Sequence, residues 1–317
     1  MTVSTDPNFA AYEAQRLRSR WVERIMKNLT RAFAYFSIIV TVGITLILIY
    51  ESFSFFDRLA KEGISWTQLF TETEWTPLFN PPKFGIIVII VGTLMTTVIA
   101  MIVALPIGLL SAVFLSEYAP PKVRAVLKPT LEILAGVPTV VYGFFALLVI
   151  TPILQKIIPG GDEVVAGLNA LSAGFVMGIM IIPLVASLSE DAIYAVPNLL
   201  REGAYAVGAT KFETTVSVVI PSALSGIVSA FILAVSRAVG ETMIVSLAAG
   251  QSPILNFNPL DSVMTITAFI VQVSLGDTPT DSLAFYTIFF AGFVLFVMTL
   301  ILNILADWFV RRYRLIY

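Results

Sequence analysis

Six apolar runs, separated by shorter polar stretches, organise the chain: roughly 33–56, 84–116, 133–155, 167–189, 218–248 and 284–308. A helix crosses a hydrocarbon core of about 30 Å with about 20 apolar residues, and every run is long enough. Strands of a membrane barrel would be about 10 residues long and alternate in polarity. These runs are continuous, so the pattern predicts an all-α integral membrane protein with six transmembrane helices. The second and fifth runs exceed one crossing and predict tilt, or helix that continues past the bilayer. Ahead of the first run, Phe9, Tyr12, Trp21, Val22, Ile25, Met26 and Leu29 interleave with arginines. That pattern predicts an amphipathic helix over 9–31, lying on an anionic membrane surface. The chain is thus expected to divide into an N-terminal amphipathic segment, 1–32, and a transmembrane domain, 33–317. The first 30 residues lack the early apolar stretch of a cleavable signal.

Composition agrees with the pattern. Of 317 residues, 57% are hydrophobic and 13% charged, about half the charged share of a soluble domain. Such a chain could not cover a water-facing surface of its size, which excludes a soluble globular protein, a disordered chain and a nucleic-acid binder. It has no Cys and no His. Disulfides, thiolate metal sites and cysteine nucleophiles are therefore absent, as are the commonest general base and metal ligand. Lysine and arginine positions set the expected orientation. Fourteen lie in the N-terminal tail, the loops after runs 2 and 4, and the C-terminus; four lie in the intervening loops 57–83 and 156–166 or beside them. The basic side faces the cytoplasm, so both termini are expected there, with loops 57–83, 156–166 and 249–283 outside.

Within the runs, Pro106, Pro138, Pro152 and Pro183, and Gly92, Gly108, Gly136, Gly143, Gly174 and Gly178, suit close helix packing or kinks. Arg237 and Glu241 are the charges that fall well inside a run. A charge at mid-bilayer costs about 2.5–3.5 kcal/mol on insertion scales. Four residues apart, the two are expected on one helical face. Arg237 lies 16 residues, roughly 24 Å of helix, beyond Pro221. One reading is an intrahelical ion pair that packs helices. The other is a lined pathway for a polar solute, in which the guanidinium's planar fork suits an oxyanion and Glu241 tempers its affinity.

The polar stretch 190–217 is long for an inside loop. Pro197 is expected to open a short helix with Leu199, Leu200, Ala204, Tyr205 and Val207 on one face. Gly208 is expected to stop it, and a second helical stretch begins at Thr210. Glu202-Gly203-Ala204, Gly208 and Val218-Val219-Ile220-Pro221 resemble the EAA loop of ABC-importer permeases: E-A-A, three residues, Gly, nine residues, then I-x-L-P. Glu202, Ala204, Gly208 and Pro221 match outright; Gly203 stands in for an Ala. Ser236-Arg237-Ala238-Val239-Gly240-Glu241-Thr242-Met243 resembles the R-A-x-G-E-T segment of phosphate-importer permeases. Leu134-Ala135-Gly136-Val137-Pro138-Thr139-Val140-Val141-Tyr142-Gly143 resembles their A-G-x-P segment. Methionine after G-E-T is closer to the PstC-type subunit than to its PstA-type sister.

The resemblance implies a type I ABC-importer permease fold in the bacterial inner membrane. The EAA loop, with Glu202, Gly203, Ala204, Gly208 and Pro221, would form a cytoplasmic coupling helix that docks on an ATPase. Arg237 and Glu241 would line the substrate pathway. Implied partners are a PstA-like sister permease, ATPase subunits and an external phosphate-binding protein. No G-x-x-x-x-G-K-[ST] occurs; the nearest approach, Gly203 to Gly208, is followed by Ala209. ATP and Mg are therefore expected in the partner, with no cofactor and no metal on this chain. Two other readings stay open: a permease for sulfate or molybdate, and a self-contained anion channel. An intramembrane enzyme, without His or Cys, would need Ser or carboxylate chemistry, and no paired carboxylates lie at depth. The outer stretch 249–283, with Asp261, Asp277 and Asp281, is expected to be a gate, part of a docking surface, or a plain acidic loop.

Overall fold

The computed structural model describes residues 7–313. Arg314 lies outside them, as do the side chains of Phe9, Tyr12, Arg16, Arg18, Arg20, Arg311 and Arg312. Helices form nearly all of the regular structure. In chain order they are α1 (Pro7–Lys61), α2 (Gln68–Thr71), α3 (Ile86–Val113), α4 (Pro121–Ala135), α5 (Thr139–Phe145), α6 (Thr151–Ile157), α7 (Ala170–Tyr194), α8 (Asn198–Ala206), α9 (Lys211–Thr214), α10 (Ile220–Val239), α11 (Met243–Ala248), α12 (Ile266–Leu275) and α13 (Leu283–Tyr313). Single π-helical turns extend α3 through Phe114–Tyr118, join α5 to α6 through Ala146–Ile150, and join α9 to α10 through Thr215–Val219. Among the described residues, strand pairing is confined to the isolated bridges Glu74–Ile254 and Trp75–Phe84. Six helical stretches are long and apolar enough to cross a membrane, and the protein is a multi-pass membrane protein.

The chain divides into two compact units at Glu51. In the first, α1 runs without a break across residue 32, and Trp21, Val22, Ile25, Met26 and Leu29 are exposed. The second unit, from Ser52 on, contains the core. Its centre is α7, the most deeply buried of the membrane-crossing helices, whereas little of α13 is buried. The reason is local: α7 carries small residues on the face that meets α3. A Cβ on Gly178 would lie 2.7 Å from Val103 Cβ, and one on Gly174 would lie 2.7 Å from Ile99 Cβ. Without a solvent-driven hydrophobic force between helices in lipid, such close backbone approach supplies the packing energy. Ala100, Ala104, Val176, Met177, Ile181, Ala234, Ile244 and Val245 fill the contact region. A second cluster gathers the end of α1, the stretch from α2 to the start of α3, and the segment after α11: Phe55 stacks on Phe290 at 4.8 Å, and Trp75 meets Phe269 edge to face at 5.2 Å.

Three expectations are corrected here. The third crossing begins at Thr139, because Gly136 caps α4 and Pro138 starts α5. The fifth ends at Val239, not near residue 248, because the chain turns at Gly240 before α11 starts. The stretch 249–283 is also more than a loop. It holds α12, and Met264, Ile266 and Phe269 are buried in the second cluster. Asp261 is tied to Asn256 at 2.8 Å and Asn258 at 2.9 Å.

Candidate functional site

Between α7 and α10 the chain makes the short helix that the sequence predicts. Pro197 precedes α8 with φ −58°, the value proline fixes and a helix start accepts. The helix ends in a Schellman motif. The Ala209 N–H donates to the Ala204 carbonyl at 3.1 Å and the Gly208 N–H to the Tyr205 carbonyl at 3.0 Å. The motif requires a left-handed residue, and Gly208 takes φ +88°. Thr210 and Glu213 then form a reciprocal capping box that starts α9. One side of α8 leans on the molecule through Leu200, which packs near Ile193 and Val196. The other presents Leu199 and, past its end, Val207, 78% and 85% exposed. Glu202 and Gly203 are exposed as well, and a Cβ on Gly203 would meet open space. Pro221 sits in the first turn of α10. Glu202, Gly203, Ala204 and Gly208 thus belong to one short, partly apolar helix and its end, while Pro221 opens the crossing that follows.

Arg237 and Glu241 do not form the expected pair. Arg237 occupies the last turn of α10 and is exposed; its Nη2 lies 3.9 Å from the Met180 sulfur. Glu241 is buried beyond the turn at Gly240. Its Oε1 accepts from the Met243 and Ile244 N–H groups at 3.1 and 3.4 Å, and its carbonyl accepts from Thr267 Oγ1 at 2.7 Å. The physical reason is the helix end. The i, i+4 rule holds only while the helix continues, and a carboxylate beside unpaired N–H groups at a helix start is satisfied there. Ser236 donates to Asn303 Oδ1 on α13 at 3.1 Å, so a polar contact lies one residue from Arg237.

Two buried ionic groups escaped the sequence reading. Glu190, in the last turns of α7, is fully buried and pairs with Arg124 and, at 2.6 Å, with Lys128 of α4. Asp191 takes Lys128 as well, at 2.5 Å. Burial pushes the Lys128 ammonium down, but hydrogen bonds to Asp191 and Glu190 outweigh it and hold its pKa above the ordinary lysine value. Glu117, on the π-helical turn that extends α3, pairs with Arg201 of α8 at 2.7 Å. Both acids lie near the ends of apolar runs, where charge attracts no notice. The available signal was the four-residue spacing of Arg124 and Lys128, which puts two cations on one face of α4.

Residues 104–315 match the protein family described as the binding-protein-dependent transport system inner membrane component. The phosphate transport system permease protein PstC of Xylella fastidiosa (strain Temecula1) is 33% identical over 305 residues, covering 92% of this chain and 91% of that one. The probable phosphate transport system permease protein PstC of Methanocaldococcus jannaschii is 32% identical, covering 91% and 97%. The probable ABC transporter permease protein YqgH of Bacillus subtilis is 32% identical, covering 90% of each. Among solved structures, a chain of a bacterial ABC transporter involved in the import of the acidic polysaccharide alginate superposes with a TM-score of 0.59 at 14% identity, covering 91% of this chain and 99% of that one. A chain of the inward-facing MetNI methionine ABC transporter gives 0.51 at 19%, covering 72% and 94%. At those identities the likeness concerns the fold.

Proposed function

The chain belongs to the family of binding-protein-dependent transport system inner membrane components, and from that premise we propose that it is the PstC-type transmembrane subunit of an ATP-driven phosphate importer. Its work is transport; ATP and Mg act in partner ATPase subunits, and a PstA-like sister permease supplies the other half of the pathway. An external phosphate-binding protein delivers the substrate. The excess of Lys and Arg supports placing both termini and α8 on the cytoplasmic side, where α8 docks on the ATPase with Leu199, Val207 and Glu202.

The observation that carries the anion reading is Arg237. A guanidinium stands exposed at the end of a membrane-crossing helix, with a methionine sulfur as its neighbour. Such a charge is costly facing lipid, and its planar fork of donors matches a tetrahedral oxyanion. Glu241 contributes at one remove. By capping α11 it fixes the corner that sets where α10 ends and Arg237 stands. In the assembled importer, Arg237→Gln is expected to abolish phosphate uptake while the ATPase stays bound. Arg237→Lys should recover only part, because an ammonium lacks the fork. Radiolabelled phosphate uptake into vesicles decides it: normal uptake by Arg237→Gln would sink the pathway role.

A further inference from the structure

Arg201 has an acceptor for each of its five N–H groups, drawn from three separate pieces of the chain. Nε and Nη2 donate to Glu117 Oε1 at 3.2 and 2.7 Å, and Nη2 also donates to the Ile193 carbonyl at 3.0 Å. Nη1 donates to the Val196 carbonyl at 2.6 Å and to Asn198 Oδ1 at 3.4 Å. The side chains of Arg201 and Glu117 are 13% and 5% exposed. Ile193 lies in the last turn of α7, where its carbonyl also accepts from the Val196 N–H at 3.2 Å, and a cation at that helix end suits the dipole. No residue of α8 is itself buried. Apolar packing therefore holds α8 weakly, and Arg201 is its polar anchor. From the other side, α4 grips the same turn of α7: Lys128 and Arg124 hold Glu190, and the Arg124 guanidinium sits 3.9 Å above the Tyr194 ring.

We propose that Arg201 is the positioning residue that locks α8, the last turn of α7 and the π-helical end of α3 into one lever. A displacement of α8 then reaches the two helices at the centre of the core, and is not absorbed in the short link at 195–197. The inference rests on the reading of α8 as the ATPase-docking helix.

The test uses the assembled, reconstituted importer. The chain has no Cys, so spin labels at Ala206→Cys on α8 and Val126→Cys on α4 report their separation. Arg201→Gln should leave the ATPase bound and hydrolysing ATP, lower phosphate taken up per ATP by about tenfold or more, the size of a typical coupling free energy, and broaden the label separation. Arg201→Lys should fall between, because an ammonium gathers its donors on one nitrogen and lacks the planar fork that reaches these separated acceptors; Glu117→Gln should do the same. Unchanged uptake per ATP and an unchanged separation in Arg201→Gln would overturn the proposal. If Arg201→Gln fails to assemble, Arg201→Lys decides: an assembled complex with reduced uptake per ATP supports the lever, and a normal ratio overturns it. Val207→Asp separates the underlying reading. If the ATPase stays bound to that variant, the docking reading fails, while the label separation in Arg201→Gln still reports on the clamp.

Discussion

Gly240 turns the chain out of α10, and that single turn reassigns Glu241 from a partner of Arg237 to a cap on α11. The assignment has a measurable signature. Glu241→Ala removes the acceptor for the Met243 and Ile244 N–H groups and should cost about 0.5–2 kcal/mol, the range for a lost helix cap. Glu241→Gln keeps a carbonyl oxygen in place and should unfold in detergent within a degree or two of the wild type, about the shift expected from a few tenths of a kcal/mol. Equal destabilisation by both substitutions would show that the charge, and so its field at Arg237, is what matters. At this scale the sequence is a partial guide. Two ionisable residues in an apolar run stand out because lipid makes them expensive. Which atoms they touch depends on where the helix stops. Glu117 and Glu190 were invisible for the opposite reason: near the end of a run a carboxylate looks solvated, and only the approach of α8 and α4 buries it.

The pairing of α3 with α7 sets the element scale. Gly174 and Gly178 let the two backbones meet, and side chains there would displace Ile99, Val103 or the Thr96 and Ala100 carbonyls. Gly178→Val should therefore destabilise the protein by about 1–3 kcal/mol or more, the usual cost of overpacking a dense interior. Gly203→Ala, a helical glycine with open space around its missing Cβ, should stabilise α8 by up to about 1 kcal/mol through backbone entropy. Thermal unfolding of the two variants in the same detergent checks the contrast; a tolerant Gly178→Val would mean that α3 and α7 can separate without loss. The six crossings were legible because length and apolarity alone decide whether a helix can span a bilayer. Their ends were less so. Apolar residues continue through Met243–Ala248, so composition cannot mark the break at Gly240, which the packing of α11 against α5 and α7 accommodates. The helix α8 was legible to within two residues, because Pro197 and Gly208 impose local geometries that need no distant partner.

For the whole molecule, the expectation is dependence on partners. The chain has no P-loop, and Arg237 is exposed in the single chain. In liposomes without partners it should neither hydrolyse ATP nor pass phosphate, and a flux assay with the purified chain checks this directly. Measurable flux would favour the self-contained channel. The sequence by itself determined that the chain crosses a membrane six times and carries a short, capped helix between its fourth and fifth crossings. Those properties follow from apolar length and from the fixed dihedrals of Pro and Gly, which act within a few residues. The tertiary structure alone decided that α7 is the central helix, that Glu241 caps α11, and that Arg201 ties α8 to Glu117, 84 residues earlier in the chain. Each of these depends on which surfaces meet. Close backbone approach and the pairing of buried charges are set by the packed arrangement of distant segments, and local sequence carries no record of it.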